Sequence, residues 1–249
     1  MFYIEEINGI KILKNSVLNS FGIEHFFTTK ESVIFSQEFE LQDKVLKNKQ
    51  IICEYLGIKQ ENLIRPTQTH GSNIEIAQIG QSEYPNTDAM ILTNNTQAVF
   101  LNFADCTPII LYDKKQNIAG IVHAGWKGTV AKIAPKTINK MIENLNSHPK
   151  NIIAIIGPTI SKCCFEIGND VYNKLKSTIN ETQNSVCFEL KNDKIFADLK
   201  NINKYQILST GVENIDICSY CTSCDNKMFF SYRKENGTTS RHSAIIKLK

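Results

Sequence analysis

An α+β or mixed α/β fold is predicted by two features of the chain: a central block of short apolar runs of strand length, and a strongly amphipathic helical stretch directly after it. The first element in order is a helix over Lys44 to Leu56. Val45, Leu46, Ile51, Ile52 and Leu56 make a stripe of about 3.6-residue period, and Gly57 is placed to end it. Ala98 to Phe103, Pro108 to Tyr112, Ile118 to His123 and Ile152 to Ile156 then read as strands, several of them rich in β-branched residues. Asp113 to Asn117 is a polar turn between two of these runs, so a hairpin is expected from Ile109 to Val122. Val130 to Leu145 follows as one amphipathic helix with Val130, Ile133, Ile138, Met141, Ile142 and Leu145 on its apolar face, and Pro135 in its first turns. Asp170 to Leu175 and Ile202 to Leu208 read as further helices, the second ending before Gly211. Ser243 to Leu248 reads as a closing strand.

The composition fits a folded globular chain: 42% of the 249 residues are hydrophobic and 21% charged. Prolines and glycines are scattered without a linker-like cluster, which predicts a single domain over 1–249. A net charge of +3, spread rather than blocked, points to neither a nucleic-acid nor a membrane partner. No run approaches the ~18 apolar residues of a transmembrane helix. Met1 to Ile10 carries Glu5 and Glu6 in place of a basic leader, so a cytoplasmic location with reduced thiols is expected for the eight cysteines.

Three residues carry metal-ligand chemistry. His70 precedes Gly71 in a loop, Cys106 stands between two apolar strands, and His123 closes the strand that begins at Ile118. A thiolate and two imidazoles suit Zn²⁺, and three protein ligands leave a fourth position for water or substrate. Their spacings, 36 and 17 residues, form no local motif. On residue type and spacing alone a buried cysteine and two satisfied histidines are the simpler reading. Gly125-Trp126-Lys127-Gly128 leads into the predicted helix, where backbone N–H groups and Lys127 could hold an anion; a tight strand-to-helix turn is the simpler alternative. Cys218, Cys221 and Cys224 form a Cys-x-x-Cys-x-x-Cys run lacking the fourth cysteine and proline of a bacterial iron–sulfur motif. Cys163, Cys164 or Cys187 could complete a site there only through tertiary contact, and a loop of partly buried thiols is the expected arrangement.

Taken together, Thr67-Gln68-Thr69-His70-Gly71, Asp88-Ala89, Ala104-Asp105-Cys106-Thr107-Pro108 and His123-Ala124-Gly125-Trp126-Lys127-Gly128-Thr129 resemble the YfiH-like laccase-domain family, also called polyphenol oxidase or peptidoglycan editing factor. Gly157-Pro158, Cys164 to Gly168, Asp198-Leu199, Cys221-Thr222, Phe230 to Arg233 and Thr239-Ser240-Arg241 extend the match from about Gly22 to the C-terminus. The resemblance implies a four-layer αββα sandwich with mixed sheets. It also implies a zinc-dependent purine nucleoside phosphorylase acting on adenosine, inosine and methylthioadenosine with phosphate, and deaminating adenosine. His70, Cys106 and His123 would be the metal ligands and the heart of the catalytic set, with copper as the alternative metal. Arg233 and Arg241 would bind phosphate. Asp105 would move protons in the deamination, or orient His70 or His123. Three other readings compete: a hydrolase with Cys106 as nucleophile that edits peptidoglycan precursors, a copper-dependent phenol oxidase, and a metal binder without catalysis. The chain departs from the family pattern at His25 to Ser32, which has Lys30 for arginine and no glycine pair, and at Ser240 and Lys234.

Overall fold

The chain opens with a hairpin, β1 (Phe2–Ile7) and β2 (Ile10–Asn15), in the computed structural model, which describes residues 1–249. Asn8 and Gly9 both take positive φ, 46° and 84°, as the tight turn between twisted antiparallel strands requires. After the short helix α1 (Ser16–Ser20) comes β3 (Glu24–Thr28), then α2 (Gln42–Leu56), whose end at a left-handed Gly57 agrees with the sequence reading. Two short strands follow, β4 (Leu63–Ile64) and β5 (Ile74–Ile76). The central block is β6 (Ala89–Leu92), β7 (Ala98–Phe103), β8 (Thr107–Asp113) and β9 (Ile118–Ala124), with β8 and β9 forming the expected hairpin. Asp113 caps its turn by accepting from the N–H groups of Lys115 and Gln116.

The helix expected over Val130 to Leu145 is two helices, α3 (Trp126–Val130) and α4 (Ile133–Leu145), separated by Lys132 at φ 56°. Proline explains the break. In a continuous helix Pro135 would lack the bond to Ala131 and its ring would strike that carbonyl. Restarting at Ile133 moves Pro135 into a first turn, where no N–H is needed. The remaining elements are β10 (Ile152–Ile156), β11 (Glu166–Ile167), α5 (Asn169–Lys176), α6 (Asn184–Cys187), β12 (Phe188–Lys191), β13 (Lys194–Ala197), α7 (Leu199–Leu208), β14 (Asn214–Ile217) and β15 (His242–Lys247).

The strands make two six-stranded mixed sheets, ordered β1-β2-β3-β15-β7-β4 and β14-β10-β8-β9-β6-β5, and a small sheet β11-β13-β12. Alternating side chains send Leu13, Phe27, Val99, Leu101 and Ile246 from the first sheet against Met90, Leu92, Ile110, Ile121 and Ile155 from the second. The opposite face of the first sheet (Ile12, Phe26, Phe100, Ile245) packs on Ile52 and Leu56 of α2. The opposite face of the second (Ile91, Ile109, Val122, Ile156) packs on Ile133, Ile138 and Met141 of α4 and Ile207 of α7. The layer order is therefore helix, sheet, sheet, helix. No helix is long and apolar enough to cross a membrane.

This arrangement creates the site. The chain leaves the first sheet at Phe103 and enters the second at Thr107, so residues 104–106 cross between sheets at one rim of the sandwich. Pairing of Thr107 with Ala124 brings the end of β9 alongside that crossing.

Candidate metal centre and its cavity

Cys106 sits on the crossing, His123 near the end of β9, and His70 in the loop between β4 and β5. Their ligand atoms all lie within 4.8 Å of one another. The two imidazoles meet edge to face with centroids 4.7 Å apart. His123 is buried, Cys106 is partly open to the cavity and His70 is exposed. Gly125 permits the approach: a Cβ there would stand 2.9 Å from the Cys106 Sγ and 3.3 Å from His70 Cδ2.

Asp88, at the foot of β6 and fully buried, organises the set. Its Oδ1 accepts from His123 Nδ1 at 2.8 Å and from the His70 N–H at 3.0 Å; its Oδ2 accepts from the Gly71 N–H at 2.7 Å and the Thr69 N–H at 3.2 Å. The same carboxylate thus orients one imidazole and pins the backbone that presents the other. His70 takes φ 60°, a left-handed conformation costly for a residue with a side chain, and the N–H groups gathered on Asp88 hold it there. The Gln68 side chain adds a second tether, exchanging two hydrogen bonds with the Asn102 backbone of β7 at 2.8 and 3.0 Å.

The charges are interlocked. Burial pushes the Cys106 thiol up, but the adjoining His123 and His70 rings bring it down to about 6. Burial likewise opposes a charged His123, yet the Cys106 sulfur and the Asp88 carboxylate raise it to about 9. Against its own burial, Asp88 is held down at about 2 by His123 and the surrounding backbone N–H groups. At neutral pH the set is thiolate, imidazolium and carboxylate. With Nδ1–H donated to Asp88, His123 keeps Nε2 as its outward nitrogen, the orientation a metal ligand needs once the Nε2 proton leaves. The donor chemistry and spacing therefore fit a thiophilic divalent ion such as zinc.

These residues line a cavity of about 680 Å³, the size of a small-molecule site. Among the residues expected from sequence, His70, Asp105, Cys106, His123, Lys127, Arg233 and Arg241 all line it. Asp105 orients neither histidine; Asp88 has that task. Asp105 instead takes φ 85° with its oxygens on the other wall, accepting from Thr222 Oγ1 at 2.6 Å and from the Arg233 N–H at 2.7 Å. Arg233 lies over the Phe165 ring at 5.6 Å and donates to the Glu166 carbonyl at 3.0 Å. Arg241 is half-buried and donates to the carbonyls of Thr238 and Ser240. Lys127 lies 5.7 Å over Trp126, but α3 is a single five-residue turn, so the anion-holding character there rests on the lysine charge and little on a helix dipole. Two contributors were missed in the sequence. Asp88 was visible only as part of a motif, since nothing local ties it to residues 18 and 35 positions away. Arg65, stacked over Phe35 at 4.9 Å and lining the cavity, was signalled only by its place just before Thr67. Lys30, at the departure from the family pattern, points away to an ion pair with Glu235 at 2.8 Å. Ser240 is buried in a hydrogen-bonded group with Ser36 and Glu38, both at 2.7 Å.

Fold and site define a two-sheet sandwich protein with a His–Cys–His centre where the chain crosses between its sheets. Residues 35–249 match the family model described as multi-copper polyphenol oxidoreductase laccase, and the chain belongs to that family. It is similar to the purine nucleoside phosphorylase YlmD of Bacillus subtilis (strain 168), 28% identical over 244 residues that span 90% of this chain and 87% of that protein. It is similar also to the adenosine deaminase RL5 of an unknown prokaryotic organism, 29% identical over 234 residues, 86% of this chain and 89% of that one. Among solved structures, the hypothetical protein YfiH of Bacillus licheniformis aligns with a TM-score of 0.88 at 26% identity, over 100% of this chain and 99% of that chain. The YfiH-like resemblance and the αββα fold read from it are borne out.

Proposed function

We infer that the chain is a zinc-dependent purine nucleoside phosphorylase that acts on adenosine, inosine and methylthioadenosine, with adenosine deamination as a second activity. The observation that carries this reading is one cavity collecting the His70–Cys106–His123 donors, several cations and several flat aromatic rings. The similarity to relatives named as phosphorylases, and to one named as a deaminase, supports it. His70, Cys106 and His123 would hold the metal, which when bound supplies a Lewis-acid charge beside the substrate.

Phosphorolysis needs phosphate placed behind the anomeric carbon as the purine leaves, through a transition state with oxocarbenium character. Arg233, Arg241, Arg65 and Lys127 bring positive charge to the cavity and suit a phosphate dianion. Phe35, Phe165 and Tyr232 offer faces on which a purine can stack. Asp105 is the candidate to carry a proton to or from the base. Each of its oxygens already accepts one hydrogen bond, which fixes the carboxylate while leaving a further lone pair on each oxygen. In the deaminase arm water adds instead to C6 of the adenine ring, the same carboxylate moves protons from that water to the amino group, and ammonia leaves while the glycosidic bond stays intact.

A second reading has its own support. Cys106 as a thiolate beside an imidazole that Asp88 orients is also the order of a Cys–His–Asp nucleophilic set, which would hydrolyse an amide such as a peptidoglycan precursor. Metal content separates the two, because a ligated thiolate cannot attack. The test is to incubate purified protein with adenosine and phosphate, resolve the products by chromatography and determine metals on the same sample. Adenine with ribose 1-phosphate supports the phosphorylase, inosine the deaminase arm, and bound copper with phenol oxidation the oxidase. Cys106→Ala is expected to abolish both nucleoside activities; a variant that keeps them overturns the assignment.

A further inference from the structure

Two loops far apart in sequence bring four cysteines together on the outer side of the cavity wall. Cys163 and Cys164 lie between β10 and β11, and Cys221 and Cys224 lie between β14 and β15. All four sulfurs are within 4.8 Å of one another. Four of the six pairs measure 3.6 Å (Cys163–Cys164), 3.8 Å (Cys163–Cys221), 3.6 Å (Cys163–Cys224) and 3.4 Å (Cys164–Cys224). A tetrahedron of sulfurs around an ion at the Zn–S distance of about 2.3 Å has edges of about 3.8 Å. The sulfurs already stand close to the corners of such a tetrahedron. The other members of the cysteine set are placed elsewhere: Cys218 is buried between the two sheets, and Cys187 is buried against Leu175 and Ile202.

We propose that Cys163, Cys164, Cys221 and Cys224 form a second, closed metal site that holds one Zn²⁺ as a tetrathiolate. This is separate from the His70–Cys106–His123 centre and does not depend on the function inferred for it. All-sulfur tetrahedral sets select zinc or iron among the common metals, and a closed four-ligand shell marks a structural rather than a catalytic site. The backbone is arranged for thiolates: the Ser161 N–H donates to Cys221 Sγ at 3.3 Å, and the Asp225 carboxylate turns the Cys221-x-x-Cys224 loop by accepting from the Cys221 N–H at 2.9 Å. Four thiolates around Zn²⁺ carry a net double negative charge, and the hollow that exposes Cys164 and Cys224 is lined by Lys30, Lys227 and Lys234.

The site would brace the cavity. Cys164 is followed by Phe165, on which Arg233 lies. Cys221 is followed by Thr222, which holds Asp105. A metal joining the two loops therefore fixes the wall that carries Arg233 and Asp105.

The test is metal analysis by mass spectrometry on the purified full-length protein, with two kinds of variant. Wild type is expected to hold two zinc per chain, Cys106→Ala one, and the double variant Cys163→Ser/Cys224→Ser one. If the His–Cys–His centre bound nothing, one zinc would remain, insensitive to Cys106→Ala and lost in the double variant, so the two assignments stand or fall separately. Single Cys224→Ser, on an exposed loop position, guards against a folding failure and is expected to lower occupancy. Co²⁺ added to metal-free wild type is expected to give the intense visible bands of a tetrathiolate site, which Cys106→Ala retains and which the double variant replaces with the weaker bands of a centre with a single thiolate. Zinc content that ignores the double variant, iron in place of zinc, or a disulfide among the four in the native protein would each overturn the proposal.

Discussion

Replacing Asp88 by asparagine tests the centre at its most connected point. The side chain keeps its shape but loses its charge and half its acceptor capacity. The carboxylate now accepts from five donors: His123 Nδ1 and the His70 N–H on one oxygen, and the N–H groups of Gly71 and Thr69 with the Thr69 hydroxyl on the other. An amide can serve only one of these groups of donors, and its NH₂ faces the other. With NH₂ toward Gly71 and Thr69, three donors confront a donor. With NH₂ toward His123, the ring must accept at Nδ1 and carry its proton on Nε2, the nitrogen a metal requires free. Each hydrogen bond to a buried charge contributes about 1.5–3 kcal/mol, so two or three lost bonds cost about 2–4 kcal/mol after relaxation. In a chain of this size that lowers Tm by roughly 5–15 °C. Metal affinity is expected to fall about 10–100-fold, as for removal of a carboxylate behind a ligating histidine. Thermal denaturation with and without zinc, and zinc affinity by chelator competition, read both effects. Asp88→Asn with an unchanged Tm and unchanged affinity would refute the view that this carboxylate orders the centre.

Other outcomes follow from the same geometry. Gly125→Ala places a methyl 2.9 Å from the Cys106 sulfur, so zinc affinity should drop at least about tenfold while the circular dichroism spectrum stays native; unchanged binding would show that the ligands do not close around that point. Arg233→Lys keeps the charge but loses the planar group over Phe165 and its bond to the Glu166 carbonyl, so KM for phosphate should rise about tenfold with folding unaffected; an unchanged KM removes Arg233 from phosphate binding. Acid should destabilise the fold well before the carboxylates titrate. Buried His25, which accepts from the Asn15 N–H, is lowered by burial from 6.5 to about 4, and His242 by burial and Arg241 from 6.5 to about 3. Because these folded values lie below the unfolded one, the unfolded chain binds the protons first, and stability present above pH 6.5 is lost as pH falls toward 4. The limiting slope is about 1.4 kcal/mol per pH unit for each histidine. Urea midpoints at pH 7, 6 and 5 measure it, and a flat profile contradicts the buried neutral assignment.

Much of this protein is determined locally and can be read along the chain. The apolar runs between Ala98 and Val122 have strand length, β-branched residues and a polar turn between two of them, and the stripe through Val45, Ile52 and Leu56 has the spacing of one helix face. The left-handed Asn8-Gly9 pair shows that the N-terminal hairpin, left out of the sequence reading, was also written locally. So was the break before α4, once Pro135 is allowed to count against a helix that starts at Val130. The motifs around His70, Cys106 and His123 pointed to the family, because those residue types in those contexts are specific in combination. Tertiary structure alone decided the rest. Asp88 became the organiser when β6 was laid beside β9, bringing its carboxylate under His123 and the His70 loop at once. Asp105, adjacent to Cys106 in sequence, was turned to the opposite wall by its left-handed backbone. The four-cysteine cluster exists because β10 and β14 run parallel as neighbours, and the loops beyond them emerge at the same end of the sheet. Sequence spacing carries no record of that adjacency, since residues 57 positions apart meet only after the sheet has formed.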